Sequence, residues 1–285
     1  MPSLDPQQII ETQRQDWTRV APGWEKWDES LDHNMAFMNY RLVGEAHVRP
    51  GQRILDLGSG TGYPALLAAQ AVGPRGNVVG LDLADAMLDV ARRKAKALGL
   101  TNIRFQAGDV STLPFDAGSF DAVISRFCLM FLPDVPKAAA EIARVLKPGG
   151  YLAAAVWSLP EKNPFLNIPI NIVKQFIDIP PPEPEQPGIF RLAKPGDLRG
   201  IVERAGLTSL ADETVSGESL FASGQEYVSS LMDIAAPFQA LFAKLSSSQQ
   251  TQTQADIKRA VQQYEMGGKI ALPIEIRIVV GRKGR

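Results

Sequence analysis

Three carboxylates and a run of glycines carry most of the chemistry legible in this chain. Asp56-Leu-Gly58-Ser-Gly60-Thr-Gly62 ends a short apolar run, Asp82 ends a second, and Asp109 follows a third in Ala107-Gly-Asp-Val110. Glycines at such a place permit a tight turn and let a ligand approach the backbone with no Cβ in the way. Free N–H groups of the loop and of a following helix start would face an anionic or polar group. A carboxylate placed like Asp82 can accept both hydroxyl protons of a ribose, and Asp109 could accept from the exocyclic amine of adenine. Each feature also has a plain structural use: a glycine turn, a helix N-cap at Asp82 (although Asp85 suits that better), a Gly-Asp turn at Asp109. Together they point to a nucleoside ligand. Spacing separates two cofactors, because a dinucleotide fingerprint, G-x-G-x-x-G, needs glycine at 63, where this chain has Tyr63. NAD is disfavoured.

These residues need a scaffold that brings strand ends together. Arg53 to Leu57 reads as a first strand and Tyr63 to Val72 as a helix, closed by Gly73-Pro74. Asn77 to Asp82 is a second strand, and a helix capped at Asp85 runs to Gly99. Asn102 to Gln106 and Phe120 to Ser125 are further strands. Asp134 to Leu146 is an amphipathic helix stopped by Lys147-Pro-Gly-Gly150, and Tyr151 to Trp157 is a fifth strand. Alternating strands and helices predict βαβ units. The expected fold is α/β: a Rossmann-like, doubly wound, mostly parallel sheet of seven strands with helical cap insertions. The organisation expected is a helical lid over 1–47, a cofactor-binding core over 48–158, a Pro- and Phe-rich cap over 159–194, and completion of the sheet over 195–285 with a helical insertion near 220–272. Within these, Lys194 to Ala205 reads as a helix, Leu207 starts a weak strand, Ser246 to Asp256 is a solvated loop and helix start, and Ile274 to Val280 is the last strand.

Few other side chains offer chemistry. Of the two histidines, His47 reads as structural, whereas His33 is the better candidate for a catalytic base. The single cysteine, Cys128, rules out an intramolecular disulfide and reads as a packing residue. No spaced His/Cys cluster suggests a metal. With 30 basic and 31 acidic residues the net charge is −1, which argues against a nucleic-acid partner. The apolar share of 45% supports a sizeable core. Apolar runs such as Leu152 to Trp157 are too short to span a membrane, and Met1 to Ile10 lacks the basic start and apolar run of a secretory signal. A cytoplasmic location is expected, and dimerisation stays open.

The chain resembles the class I S-adenosylmethionine-dependent methyltransferases, in the broad group around the ubiquinone/menaquinone C-methyltransferases. The resemblance rests on Asp56 to Gly62, Val79-Gly-Leu-Asp82, Ala107 to Phe115, Ser119 to Ser125 and Arg144-Val-Leu-Lys-Pro-Gly-Gly150, and it covers about Arg53 to Trp157. It implies S-adenosylmethionine as cofactor and S-adenosylhomocysteine as product. Gly58, Ser59, Gly60 and Gly62 would hold the methionine portion, with Asp56 reaching its ammonium group. Asp82 would bind the ribose, with Leu83 and Met87 against the adenine. Gly108, Asp109 and Val110 would read the adenine edge, and Ser125, Arg126 and Phe127 would line the reacting end. An N-terminal stretch resembling Trp17-Thr-Arg-Val-Ala-Pro-Gly-Trp24 folds over the cofactor in that group. Trp24 stands where tyrosine is usual, and its indole N–H could still donate.

The implied activity is methyl transfer by direct displacement to a small, hydrophobic or aromatic acceptor. Phe127, Met130, Trp157, Phe165, Phe176 and Phe190 are expected as its walls. Such a reaction needs alignment and a dry pocket more than a base, and a base only if a proton must leave the attacking atom. Other chemistry on the same cofactor, such as aminopropyl transfer or cyclisation, and a non-catalytic cofactor-binding module share these motifs.

Overall fold

The structure, a computed structural model, describes residues 5–180 and 186–285. Part of the proline run between 179 and 184, and the first four residues of the expected lid, therefore lie outside the described residues. Two helices come first, α1 (Pro6–Lys26) and α2 (Asp28–Glu45). Asp5 caps α1 by accepting from the Gln7 amide, and Pro6 sits in the first turn, where its missing N–H costs nothing.

The core alternates as its apolar runs predict: β1 (Arg53–Leu57), α3 (Ala65–Val72), β2 (Asn77–Asp82), α4 (Asp85–Ala97), β3 (Ile103–Ala107), β4 (Phe120–Arg126), α5 (Val135–Val145) and β5 (Leu146–Trp157). In β1, β2 and β4 nearly every residue is buried, as strands covered on both faces require. Further elements are α6 (Pro164–Val173), α7 (Asp197–Arg204), β6 (Leu207–Phe221), α8 (Gly224–Ile234), α9 (Ala236–Phe242), α10 (Ser247–Val261), β7 (Glu265–Met266) and β8 (Lys269–Lys283).

The sheet runs β3-β2-β1-β4-β5-β8-β6, with two-residue β7 hairpinned onto β8. The first five strands are parallel, and β8 lies antiparallel between β5 and β6. The expected seven-strand sheet is this path, with β7 as an eighth strand beside it.

Some local expectations change. Asp85 begins α4, but Ala84 is its cap and no side chain bonds there. The Ser/Gln-rich stretch from Ser246 is the helix start expected there and holds no loop: Ser246 and Gln249 form a reciprocal capping box, and α10 runs fifteen residues from it. Two long antiparallel strands, β6 and β8, replace the short ones expected, because each is satisfied along its length by the other. Among the described residues, no helix is long and apolar enough to cross a membrane, and no cluster of His, Cys, Asp and Glu could hold a metal.

Candidate active site

The glycine loop, Asp82, Gly108 and Arg126 stand at or just past the carboxyl ends of β1 to β4, and Trp157 ends β5. Open α/β sheets bind ligands there because helix starts and loop backbones converge. Above these ends lies one cavity, with about 1370 Å³ of space between protein atoms, part of it open to solvent. One end is walled by Gly58, Ser59, Gly60, Asp82, Leu83 and Met87, the other by Phe127, Met130, Trp157, Phe165, Leu166 and Ile189.

Asp82 shapes the first end. Its Oδ2 accepts from the Gly60 amide at 2.9 Å and its Oδ1 from the Ala84 amide at 2.9 Å. The carboxylate thus pins the loop and also starts the turn into α4, while still lining the cavity. Burial raises its pKa, opposed by the bonds from Ala84, Gly60 and Leu83.

The loop amides are less free than the sequence suggests. Gly58 and Ser59 N–H donate to Leu81 O, Gly60 N–H to Asp82, and Gly62 N–H to Ser59 O. A phosphate cradle needs such amides unpaired, so the geometry sets this loop apart from a pyrophosphate site.

Beneath the loop, Asp56 is fully buried and accepts from Ser59 Oγ at 2.6 Å. Its Oδ1 has no hydrogen-bond partner and is sealed beneath the loop, outside the cavity lining, so the ammonium contact expected of Asp56 has no support in this arrangement. Burial pushes its pKa up to about 7, against the Ser59 hydroxyl and the Arg126 charge. The folded value lies above the unfolded one, so protonated Asp56 stabilises the fold fully below pH about 4, and that contribution is lost as pH rises through about 7. In urea titrations, the Asp56→Asn variant should lack this decline, and identical pH dependence in both proteins would refute the assignment.

Other expected residues fall in different places. Trp17, Trp24, Val110, Arg126 and Phe127 line the cavity with the loop. Gly62, Gly108, Asp109 and Ser125 stand behind it: Gly62 packs on Leu66 of α3, Gly108 on Leu81, and Ser125 Oγ donates to Leu57 O. Asp109 accepts from the Ser111 amide and hydroxyl, a turn of the ordinary kind. His33 is exposed on α2 and outside the cavity lining, so the base role expected of it has no support in this arrangement. His47 is exposed with its ring 4.3 Å from Tyr151, as a structural residue. Cys128 reaches the cavity and packs against Gly58. Phe176 and Phe190, expected as walls, pack on the core instead.

Sequence reasoning missed Gln13, Met35, Thr61, Leu231, Ile234 and Pro237, which also line the cavity. Generic apolar side chains on α8 and α9 carry no motif that could have announced them.

The second end is aromatic. Phe127 stacks on Trp157 at 4.1 Å with an interplanar angle of 10°, and Trp157 contacts Phe165. Phe127 has φ +56°, a left-handed conformation that costs a non-glycine residue energy and marks functional turns.

Helix α1 closes the cavity from above, touching α4 on one side and α8 and α9 on the other. Trp24 Nε1 donates to Ile234 O at 3.1 Å, so this N–H is engaged with α8 and not available to a cofactor carboxylate, contrary to the sequence expectation. Trp27 Nε1 and Lys26 Nζ both donate to Asp233. At Gly23 the backbones meet: a Cβ there would lie 2.1 Å from Asp233 O. Gly23→Ala should lift α1 from α8, seen as a red shift of tryptophan fluorescence and faster proteolysis within residues 6–26; unchanged values would show that α1 does not rest on this contact.

Comparison with known proteins agrees with this geometry. A family model described as a methyltransferase domain matches residues 55–154. Demethylmenaquinone methyltransferase of Thermus thermophilus is 44% identical over 125 residues, 44% of this chain and 56% of that protein. The Geobacillus kaustophilus protein of the same name is 42% identical over 150 residues, 50% of this chain and 64% of that protein. The chain thus spans less than two thirds of these relatives' length. The crystal structure of a putative methyltransferase from Bacillus halodurans matches with a TM-score of 0.58 at 20% identity, over 87% of this chain and 99% of that one, a likeness of fold. The glycine loop, Asp82 and the ends of β1 to β4 thus lie within residues 55–154, the stretch that matches a methyltransferase domain.

Proposed function

We propose that the whole chain is an S-adenosylmethionine-dependent methyltransferase acting on a small hydrophobic or aromatic acceptor. One observation carries this reading: a single cavity joins the glycine loop and Asp82 to the stacked Phe127–Trp157 wall. Asp82 would hold the ribose, Leu83, Met87 and Val110 the adenine, and Gly58 to Gly60 the methionine portion. The bound cofactor supplies an activated methyl group on a sulfonium. The chain contributes alignment, apolar walls that exclude water, and the aromatic faces of Trp17 and Trp24 toward a cation. Demethylmenaquinone is the acceptor in the relatives' name; here the argument for a ring-bearing acceptor rests on the aromatic wall. The location proposed is the cytoplasm.

Incubating the protein with methyl-labelled cofactor and a panel of apolar ring compounds should yield S-adenosylhomocysteine and labelled product in equal amounts. Tight cofactor binding without transfer to any compound would favour a binding module, and a product lacking the added methyl mass would favour other chemistry on this fold.

A further inference from the structure

The titratable side chains lining the cavity, among the described residues, are Asp82, Arg126 and Cys128. Neither Asp82 nor Cys128 is placed to take a proton from an acceptor. Asp82 accepts from two backbone amides at the opposite end. Burial, with the charges of Asp82, Asp56 and Asp109, pushes the Cys128 thiol up and keeps it protonated. Both histidines are exposed and outside the lining. An acceptor that must lose a proton finds no base in this wall.

Arg126 is the unusual group. It ends β4 beside Phe127, and its Nη1 donates to Asn39 Oδ1 at 2.9 Å. A guanidinium has five N–H donors, and the other four make no hydrogen bond to a described residue. Arg126 is half-buried and lines the cavity. The charged and titratable groups facing it are Asp56 of β1, Asp28 and Asp32 of α2, Tyr63 of the loop and Lys94 of α4. None forms an ion pair with it: Asp28 is held by Lys94 at 2.6 Å, Asp32 accepts from Asn39, and Asp56 accepts from Ser59. A cation that is always charged thus meets an apolar chamber with its own partners turned elsewhere.

We propose that Arg126 is the counter-cation of the acceptor, and that the acceptor is an apolar molecule bound as an oxyanion, with an ionised hydroxyl group at the reacting end. The proposal rests on the methyltransferase reading. The acceptor oxygen forms the O–C bond with its lone pair as the C–S bond breaks and that electron pair passes to sulfur. Anion and sulfonium become a neutral ether and a neutral thioether, and no proton moves, which is why the wall needs no base. An amine acceptor would gain positive charge beside a buried cation, which low-dielectric surroundings penalise.

The test uses the full chain saturated with S-adenosylhomocysteine and para-nitrophenol as probe, whose ionised form has its own visible absorption. Para-nitroanisole, which cannot ionise, controls for apolar fit. Bound nitrophenol should titrate about one pH unit or more below the free probe, as an opposite charge at close range dictates. Arg126→Gln should abolish that displacement and weaken nitrophenol about tenfold or more, Arg126→Lys should keep part of it, and nitroanisole should bind all three proteins alike. An undisplaced titration, or an equal one in Arg126→Gln, overturns the proposal. So does weakening of S-adenosylhomocysteine but not of methylthioadenosine in Arg126→Gln, which would put Arg126 on the cofactor carboxylate. Failure of the unaltered chain to bind S-adenosylhomocysteine at all would overturn the methyltransferase reading instead.

Discussion

Asp82→Ala is expected to weaken S-adenosylhomocysteine binding about 100-fold, close to 3 kcal/mol, in a calorimetric titration. Two effects add. The ribose hydroxyls lose a charged acceptor, at about 1.5–3 kcal/mol for hydrogen bonds to a charged group. The Gly60 and Ala84 amides, which Asp82 holds at 2.9 Å each, also lose their partner, so the loop is no longer pinned to β2. Asp82→Asn keeps an acceptor for one amide and should fall between the two, at about tenfold. If Asp82→Ala bound the ligand as tightly as the unaltered chain, Asp82 would be only a turn-former and the ribose assignment would fail.

The second large effect is expected at Gly58. Its φ of +69° lies in the left-handed region, which costs an alanine about 1–2 kcal/mol. A Cβ there would also lie 2.5 Å from Cys128 Cβ and 2.8 Å from its sulfur, and overpacking of that kind costs about 1–3 kcal/mol more. Gly58→Ala should therefore lose about 2–5 kcal/mol of stability in urea unfolding, or displace the loop and abolish S-adenosylhomocysteine binding. Adding Cys128→Gly removes the Cβ clash and leaves the backbone strain, so the double variant should recover part of the loss. Additive losses in the pair would mean that Cys128 does not limit the loop.

Both residues were legible in the sequence because their chemistry is local. Glycine, aspartate and strand-end position follow one another within a few residues, and periodicity places the strands. The mostly parallel, doubly wound sheet followed from the βαβ alternation for the same reason. What sequence could not give depends on distant partners. Trp24 offered a free N–H until Ile234, 210 residues away, took it. The loop amides looked available for a ligand, but Leu81 and Asp82 on the neighbouring strand occupy them. His33 was attractive by residue type alone, and the rotation of α2 leaves it in solvent while Met35 faces the cavity. The polar tract at Ser246 was read as part loop from its composition, whereas its capping box makes all of it helix.

The measurement that bears most directly on the central claim is calorimetric titration of the purified chain with S-adenosylmethionine, S-adenosylhomocysteine and NAD under one buffer condition. Micromolar binding of both sulfur ligands and none of NAD is the predicted result. Binding of NAD in preference, or of none of the three, would contradict the account of the glycine loop and everything built on it.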